Sequence, residues 1–301
     1  MIPLHYSPEV RAARDAGAPL VALESTIITH GMPWPQNRDT ALGVEAEVRA
    51  AGATPATIAV MDGQIQVGLD GAQLDRLAQA QGVMKLSRAD LAACLAQRRT
   101  GATTVAATMI CAHLAGIAVF ATGGIGGVHR GAENSFDISA DLQELATTPV
   151  TVVAAGAKAI LDLPKTLEVL ETLGVPVIAV GQGAFPAFWS RDSGLNAPLR
   201  MDTAAEIAAA HRVRRALGLA GGQLVANPIP AEAEIPHHEI DPVIARALAD
   251  AQAQGIAAKA VTPFLLARIF ELTQGRSLAA NIALVKNNAH LAAAIARELA
   301  R

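Results

Sequence analysis

Aromatic side chains are scarce, with six Phe, two Trp and one Tyr in 301 residues. Stacking platforms for single-stranded nucleic acid are therefore short of material, and the core has to be aliphatic. Charge of one sign is scarce too. Lys plus Arg number 24 and Asp plus Glu 27, a formal net charge of −3, so the chain offers no positive field to a nucleic acid backbone or an anionic membrane. Cysteine is limited to Cys94 and Cys111. A chain of this length buries roughly 75% of its unfolded surface and needs no disulfide or metal staple. The opening stretch MIPLHYSPEVRAARDAG has no basic segment followed by an apolar run, so it does not read as a secretory signal, and a cytoplasmic location is expected. Residues 100–128 carry no Asp, Glu, Lys or Arg and are long enough to cross a bilayer. However, His113 and the glycines at 123, 124, 126 and 127 would break a lipid-facing helix. A buried helix, a strand and a glycine loop are expected there instead.

Short β-branched runs alternate with Ala-rich amphipathic stretches along the whole chain, the pattern of an α/β layer fold. Strands are expected at 19–23, 56–61, 64–69, 116–121, 150–155, 175–180 and 223–227. Several are apolar throughout, as strands covered on both faces are. Asp62-Gly63 between two of them favours a tight hairpin, so the sheet should be mixed. Ser7-Pro8 and Thr262-Pro263 read as helix starts, and Gly17, Gly52, Gly174 and Gly218 as helix ends. Residues 277–300 read as one closing helix with Leu278, Ile282, Val285, Leu291 and Ile295 on or near an apolar stripe. Residues 182–198 read as a long irregular loop of the kind that often serves function. No linker or repeat interrupts the chain, so one domain over 1–301 is expected.

Several polar groups stand where chemistry could use them. The stretch ATGGIGGVHRGAENSFDISADL (121–142) follows a strand, and its glycines would let the backbone approach a phosphate. It is not a dinucleotide fingerprint, because His129 stands at the last glycine position. Asp137 and Asp141 flank Ser139 at an expected helix start, where a carboxylate either caps the helix or holds a hard divalent cation. His237-His238-Glu239 reads as a polar turn. Lys158 follows the strand VTVVAA; a buried lysine amine is a nucleophile, whereas a solvated one is only a packed stem. Glu24 ends PLVALE, as a cap, an ion-pair partner or a proton donor. Lys85 ends another short apolar run. Three such endings point to one edge of a sheet, where open α/β folds bind ligands.

The segments ALESTIITHGMPWPQN, GGIGGVHRGAENSFDISADL, AGAKAILD, ANPIP and TPFLLARI together resemble the pseudouridine-5′-phosphate glycosidase family, grouped with indigoidine synthase A-like proteins. The resemblance covers nearly the whole chain. It implies a three-layer α/β/α fold with a mixed, mostly parallel central sheet, a homotrimer and one divalent cation, Mn²⁺, per subunit. The implied activity is a lyase reaction, the reversible cleavage of pseudouridine 5′-phosphate to uracil and ribose 5-phosphate. It further implies Lys158 as the nucleophile that forms a Schiff base, Glu24 as proton donor and Asp137 as metal ligand. Ser139, Ala140, Asp141, Lys85, Val105 and Asn281 are implied substrate contacts, Asn281 at the uracil ring. A pseudouridine kinase is expected as a separate pathway partner. A non-catalytic sugar-phosphate binder and a Schiff-base aldolase on another sugar phosphate are the alternative readings.

Overall fold

The computed structural model describes residues 4–256 and 261–301. Among these residues eleven strands form one sheet: β1 (Leu4–Tyr6), β2 (Leu20–Leu23), β3 (Thr54–Met61), β4 (Gln64–Val67), β5 (Met84–Leu86), β6 (Gly101–Thr103), β7 (Val119–Ala121), β8 (Thr151–Ala154), β9 (Val177–Val180), β10 (Leu199–Met201) and β11 (Gln223–Ala226). The order is β1-β4-β3-β2-β7-β8-β11-β9-β10, with β6 joined to β3 and β5 to β6. Pairing is parallel except at β3–β4 and β3–β6, and helices cover both sides, as expected. All seven expected strands are present. The four that sequence patterning missed, β1, β5, β6 and β10, are three residues each, too short for an alternating pattern to declare itself.

Local signals account for most of the element ends. Asp62 and Gly63 both take positive φ, 52° and 77°, the geometry a two-residue hairpin requires. Ser7 caps the helix Pro8–Asp15 by accepting the Val10 amide at 3.3 Å. Gly17, Gly52, Gly174 and Gly218 all follow helices at positive φ. Two expected starts differ. The helix Val261–Leu272 already includes Val261, so Thr262 is inside it and not its cap. His237-His238-Glu239 is not a polar turn but the first turn of the helix His237–Ala253. Glu239 suits the positive end of that helix, and His237 Nδ1 lies 2.9 Å from Asp241 Oδ2, one turn on.

The closing helix Arg276–Leu299 is where expected, but its buried stripe is smaller-sided than the apolar pattern implies. Val285 and Ile295 are buried, whereas Leu278, Ile282 and Leu291 are only half-buried. The buried face is largely Ala280, Ala289, Ala292, Ala293 and Ala296 with Leu284. Small side chains let the helix lie close against β2, β7 and β8. Asn288, fully buried on this face, donates to Thr122 O at 2.8 Å and accepts from Asn227 Nδ2 at 3.1 Å. It thereby pins the helix to the chain just beyond β7 and β11, and leaving such a group unpaired would cost about 1–3 kcal/mol.

The segment 182–198 is irregular, as expected, yet it is packed and not loose. Phe185, Phe188 and Trp189 are buried, and the Phe188 amide donates to Ala155 O at 2.9 Å. Gly156 makes this docking possible. Its φ is +80°, and a Cβ there would fall 2.3 Å from Pro186 O, so no other residue fits without moving the backbone. The uncharged stretch 100–128 resolves into β6, the buried helix Val105–Leu114, β7 and the glycine loop. No helix among the described residues is long and apolar enough to cross a membrane. Cys94 and Cys111 are free and buried.

Candidate active site

Three neighbouring parallel strands, β2, β7 and β8, end on the same side of the sheet. Glu24 directly follows β2, the glycine loop follows β7, and Lys158 lies four residues past β8. The last two are zipped together: Ile125 N donates to Gly156 O, and Lys158 N donates to Ile125 O, each at 3.1 Å. A cavity of about 390 Å³ opens there. Every residue that the sequence put forward for the site lines it: Glu24, Lys85, Val105, Asp137, Ser139, Ala140, Asp141, Lys158 and Asn281. Residues from β5 and from the Arg276–Leu299 helix therefore meet those from the three strand ends.

The Glu24 carboxylate is held by two hydroxyls, one oxygen accepting from Thr26 Oγ1 and the other from Thr122 Oγ1. Lys158 has a different setting from Lys165, whose amine is clamped between Glu133 and Asp162 at 2.9 and 3.0 Å. Among the described residues no carboxylate pairs with the Lys158 amine. Asp137 is fixed through its backbone: His129 N donates to Asp137 O at 3.0 Å, beside the antiparallel bridge of Val128 with Ile138. The carboxylate itself faces the cavity without a hydrogen-bonding side chain among the described residues.

Val105 and Ala140 have inert side chains, and the structure gives the reason they belong here. Each is the first residue of a helix, Val105–Leu114 and Ala140–Thr147, where backbone N–H groups lack intrahelical acceptors and the helix end is positive. Thr104, which precedes Val105 and lines the cavity, has a buried hydroxyl with no partner among the described residues. Such an orphan calls for an acceptor.

Asp141 is braced within the protein. Its Oδ1 accepts the Ala106 amide at 2.9 Å and its Oδ2 the Gly126 amide at 2.8 Å. The carboxylate thus caps one helix from the start of another and ties both to the glycine loop. Gly123, Gly124 and Gly126 line the cavity, and several glycines of the loop are also required by close packing. A Cβ on Gly126 would meet Ser139 Oγ at 2.3 Å, on Gly127 the Thr166 hydroxyl at 2.5 Å, and on Gly124 the Phe188 ring at 2.7 Å.

Two histidines that motif reading passed over also line the cavity, His30 and His129. Burial pushes the His129 pKa below its usual value. Asp137 opposes that shift, and the charges of Lys158 and Lys85 reinforce it. His30 is lowered in the same way, by burial first and Lys85 second; its Nδ1 sits 2.6 Å from Thr29 Oγ1. Both rings thus favour the neutral form next to two lysines. No local signal marks them: His30 caps the short helix Thr26–Thr29, and His129 stands in the glycine-rich stretch with no ligand pattern around it. Phe188 belongs to the 182–198 segment, which the sequence marks only as a whole. Its ring enters the cavity wall from a backbone at φ 61°.

Residues 9–298 match the indigoidine synthase A like protein family. The chain is 75% identical over 298 residues to pseudouridine-5′-phosphate glycosidase of Jannaschia sp. (strain CCS1), covering 99% of both chains. It is 76% identical over 296 residues to the protein of that name from Paracoccus denitrificans (strain Pd 1222), covering 98% of this chain and 97% of the relative. Among solved structures, the prealnumycin C-glycosynthase AlnA in complex with ribulose 5-phosphate superposes with a TM-score of 0.91 at 37% identity, over 99% of this chain and 97% of that one. An indigoidine synthase A-like protein from Thermotoga maritima gives a TM-score of 0.91 at 33% identity, over 100% and 97%. The fold, the cavity at the strand ends and a match along almost the entire chain agree: the protein belongs to the indigoidine synthase A-like family, together with relatives that carry the name pseudouridine-5′-phosphate glycosidase.

Proposed function

We propose that this chain, acting as a single domain, reversibly cleaves the C–C glycosidic bond of pseudouridine 5′-phosphate to give uracil and ribose 5-phosphate. The observation that carries the reading is the convergence of Glu24 and Lys158 from adjacent strand ends on one cavity, in a chain 75% identical to named glycosidases.

A C-glycoside has no leaving oxygen or nitrogen to protonate, so the carboxylate pair that serves O-glycosides lacks a handle. An amine supplies one. Lys158 Nζ bonds to C1′ as the C1′–O4′ bond breaks, and Glu24 gives its proton to O4′, opening the ribose. The ammonium so formed returns a proton to the Glu24 carboxylate, the freed lone pair forms an iminium with C1′ as the C1′–C5 bond breaks, and that bond's electron pair leaves on the base, which takes up the proton as uracil. Water adds to the iminium and releases ribose 5-phosphate and the free amine. The two threonine hydroxyls on Glu24 aim its carboxyl group.

The phosphate is best served where the two helix starts converge. The Val105 and Ala140 amides and the unpartnered Thr104 hydroxyl are donors for its oxygens, and Lys85 adds charge. Ser139 and Asp141 act mainly by holding this frame, the Asp141 amide donating to Ser139 Oγ at 3.3 Å. The donor set suits a weakly held hard cation such as Mn²⁺: Asp137 is a single available carboxylate, and no group of three or more metal-binding side chains occurs among the described residues. Asp137 would hold the ion, with waters as remaining ligands. When bound, the ion supplies positive charge to the sugar-phosphate region. A cytoplasmic homotrimer working alongside a separate pseudouridine kinase completes the reading.

The experiment is direct. Protein, Mn²⁺, uracil and ribose 5-phosphate are incubated together, and a C-linked nucleotide is sought by mass spectrometry. Borohydride added with ribose 5-phosphate should fix an adduct on Lys158, located by peptide mapping. Absence of the nucleotide, or an adduct on Lys85 or Lys165, would discard the mechanism.

A further inference from the structure

Trp189 is an almost fully buried residue of the 182–198 segment, packed edge-on against Phe188 with ring centroids 5.0 Å apart and planes at 71°. Its indole N–H donates to Asn281 Oδ1 at 2.6 Å and to Ser277 O at 3.2 Å. Both acceptors belong to the first turns of the Arg276–Leu299 helix. An indole N–H only donates, so the Asn281 atom facing it has to be the carbonyl oxygen. The orientation of this carboxamide is fixed by chemistry, and its NH₂ group is turned away from Trp189 with no protein acceptor among the described residues. Asn281 lines the cavity.

We infer that Trp189 is a specificity-determining positioning residue: by holding the Asn281 oxygen it makes Asn281 present an N–H donor to the cavity, which selects a base with a carbonyl acceptor at that point. The inference rests on the function proposed above and assigns the part of that site that reads the base. Trp189 itself does not line the cavity. The segment carrying it is held by three hydrogen bonds, one to Ala155 and two to Ile235. Phe188 N bonds Ala155 O, Ser190 Oγ bonds Ile235 O at 2.6 Å, and Ile235 N bonds Trp189 O at 2.9 Å. The indole therefore cannot follow Asn281 if the amide turns over, and a flipped amide would set two donors against each other. A freely turning amide would offer donor and acceptor alike and lose its preference.

The test uses the synthetic direction, where the two substrates are varied separately. In Trp189→Phe the ring remains and the donor is gone. The KM for uracil should rise roughly tenfold, the worth of one well-placed hydrogen bond, while the KM for ribose 5-phosphate stays within about twofold. Trp189→His, which retains a ring N–H, should recover part of the loss. Asn281→Asp keeps the acceptor for Trp189 but turns an acceptor toward the base. Uracil KM should rise at least as far, and adding Trp189→Phe to it should change little more, because both act on one contact.

A measurement on the wild-type protein stands apart from variant folding. With enzyme labelled at asparagine and tryptophan, uracil binding should move the Asn281 NH₂ resonances and leave the Trp189 indole N–H nearly still. A shifted indole N–H with unmoved Asn281 resonances would overturn the inference, as would an unchanged uracil KM in folded Trp189→Phe or equal rises in both KM values. Wild-type enzyme that makes no C-linked nucleotide would sink the proposed function and this inference together. Normal wild-type turnover with any of the other contrary results sinks the inference alone.

Discussion

Asp141→Ala separates bracing from substrate contact at a residue implicated in both. Asp141 is 6% exposed, and its carboxylate accepts two backbone amides, Ala106 N at 2.9 Å and Gly126 N at 2.8 Å. Hydrogen bonds to a charged acceptor are worth about 1.5–3 kcal/mol each, so losing both destabilises the protein by about 4 kcal/mol. At roughly 2.1 cal/mol/K per residue, unfolding 301 residues carries an entropy of about 0.6 kcal/mol/K, and the midpoint should fall by about 6 °C. Asp141→Asn retains one acceptor and turns a donor toward the other amide, so it should lose at least half as much. Scanning calorimetry on the two variants reads this directly. Turnover should fall with stability, because the glycine loop and the start of the Val105–Leu114 helix shift together. An Asp141→Ala protein that melts with the wild type and differs only in its KM for ribose 5-phosphate would refute the reasoning and make Asp141 a substrate contact.

Asp137→Ala should behave in the opposite way, with metal-dependent turnover lost and the melting midpoint within about 2 °C of wild type, since the carboxylate braces nothing; full activity without added metal would remove it as a ligand. Stability should decline on acidification from pH 7 to 5, as followed by thermal melts across that range. His129, His30 and His211 all have pKa values lowered mainly by burial, so the unfolded chain binds protons that the folded one refuses, and the stabilisation present above the unfolded value near 6.5 is lost as pH drops through the folded values. His129→Gln should flatten part of that dependence. Light scattering at micromolar concentration should return three times the 31.0 kDa chain mass, and a monomer would exclude the trimer without touching the chemistry.

Seven of the eleven strands among the described residues, and most helix ends, are legible in the chain alone, because they follow from short-range physics. Apolar β-branched runs make strands, Asp62-Gly63 makes a hairpin, and a glycine after an Ala-rich helix ends it. Glu24, Lys85 and Lys158 stand out because each is a polar side chain ending an apolar run, and Asp137 because it precedes Ser139 at a helix start. What the sequence could not determine is which strand ends become neighbours. Nothing local places β2 beside β7 and β7 beside β8, or brings the Arg276–Leu299 helix across them, and the cavity exists only through that order. The same holds for residues whose role is a long-range bond. Asp141 pairs with an amide 35 residues away, Trp189 with an amide 92 residues away, and His129 is perturbed by lysines from two other elements. Contacts of that kind arise when distant segments pack to bury apolar surface, and only the tertiary structure decides which polar groups that packing leaves facing one another.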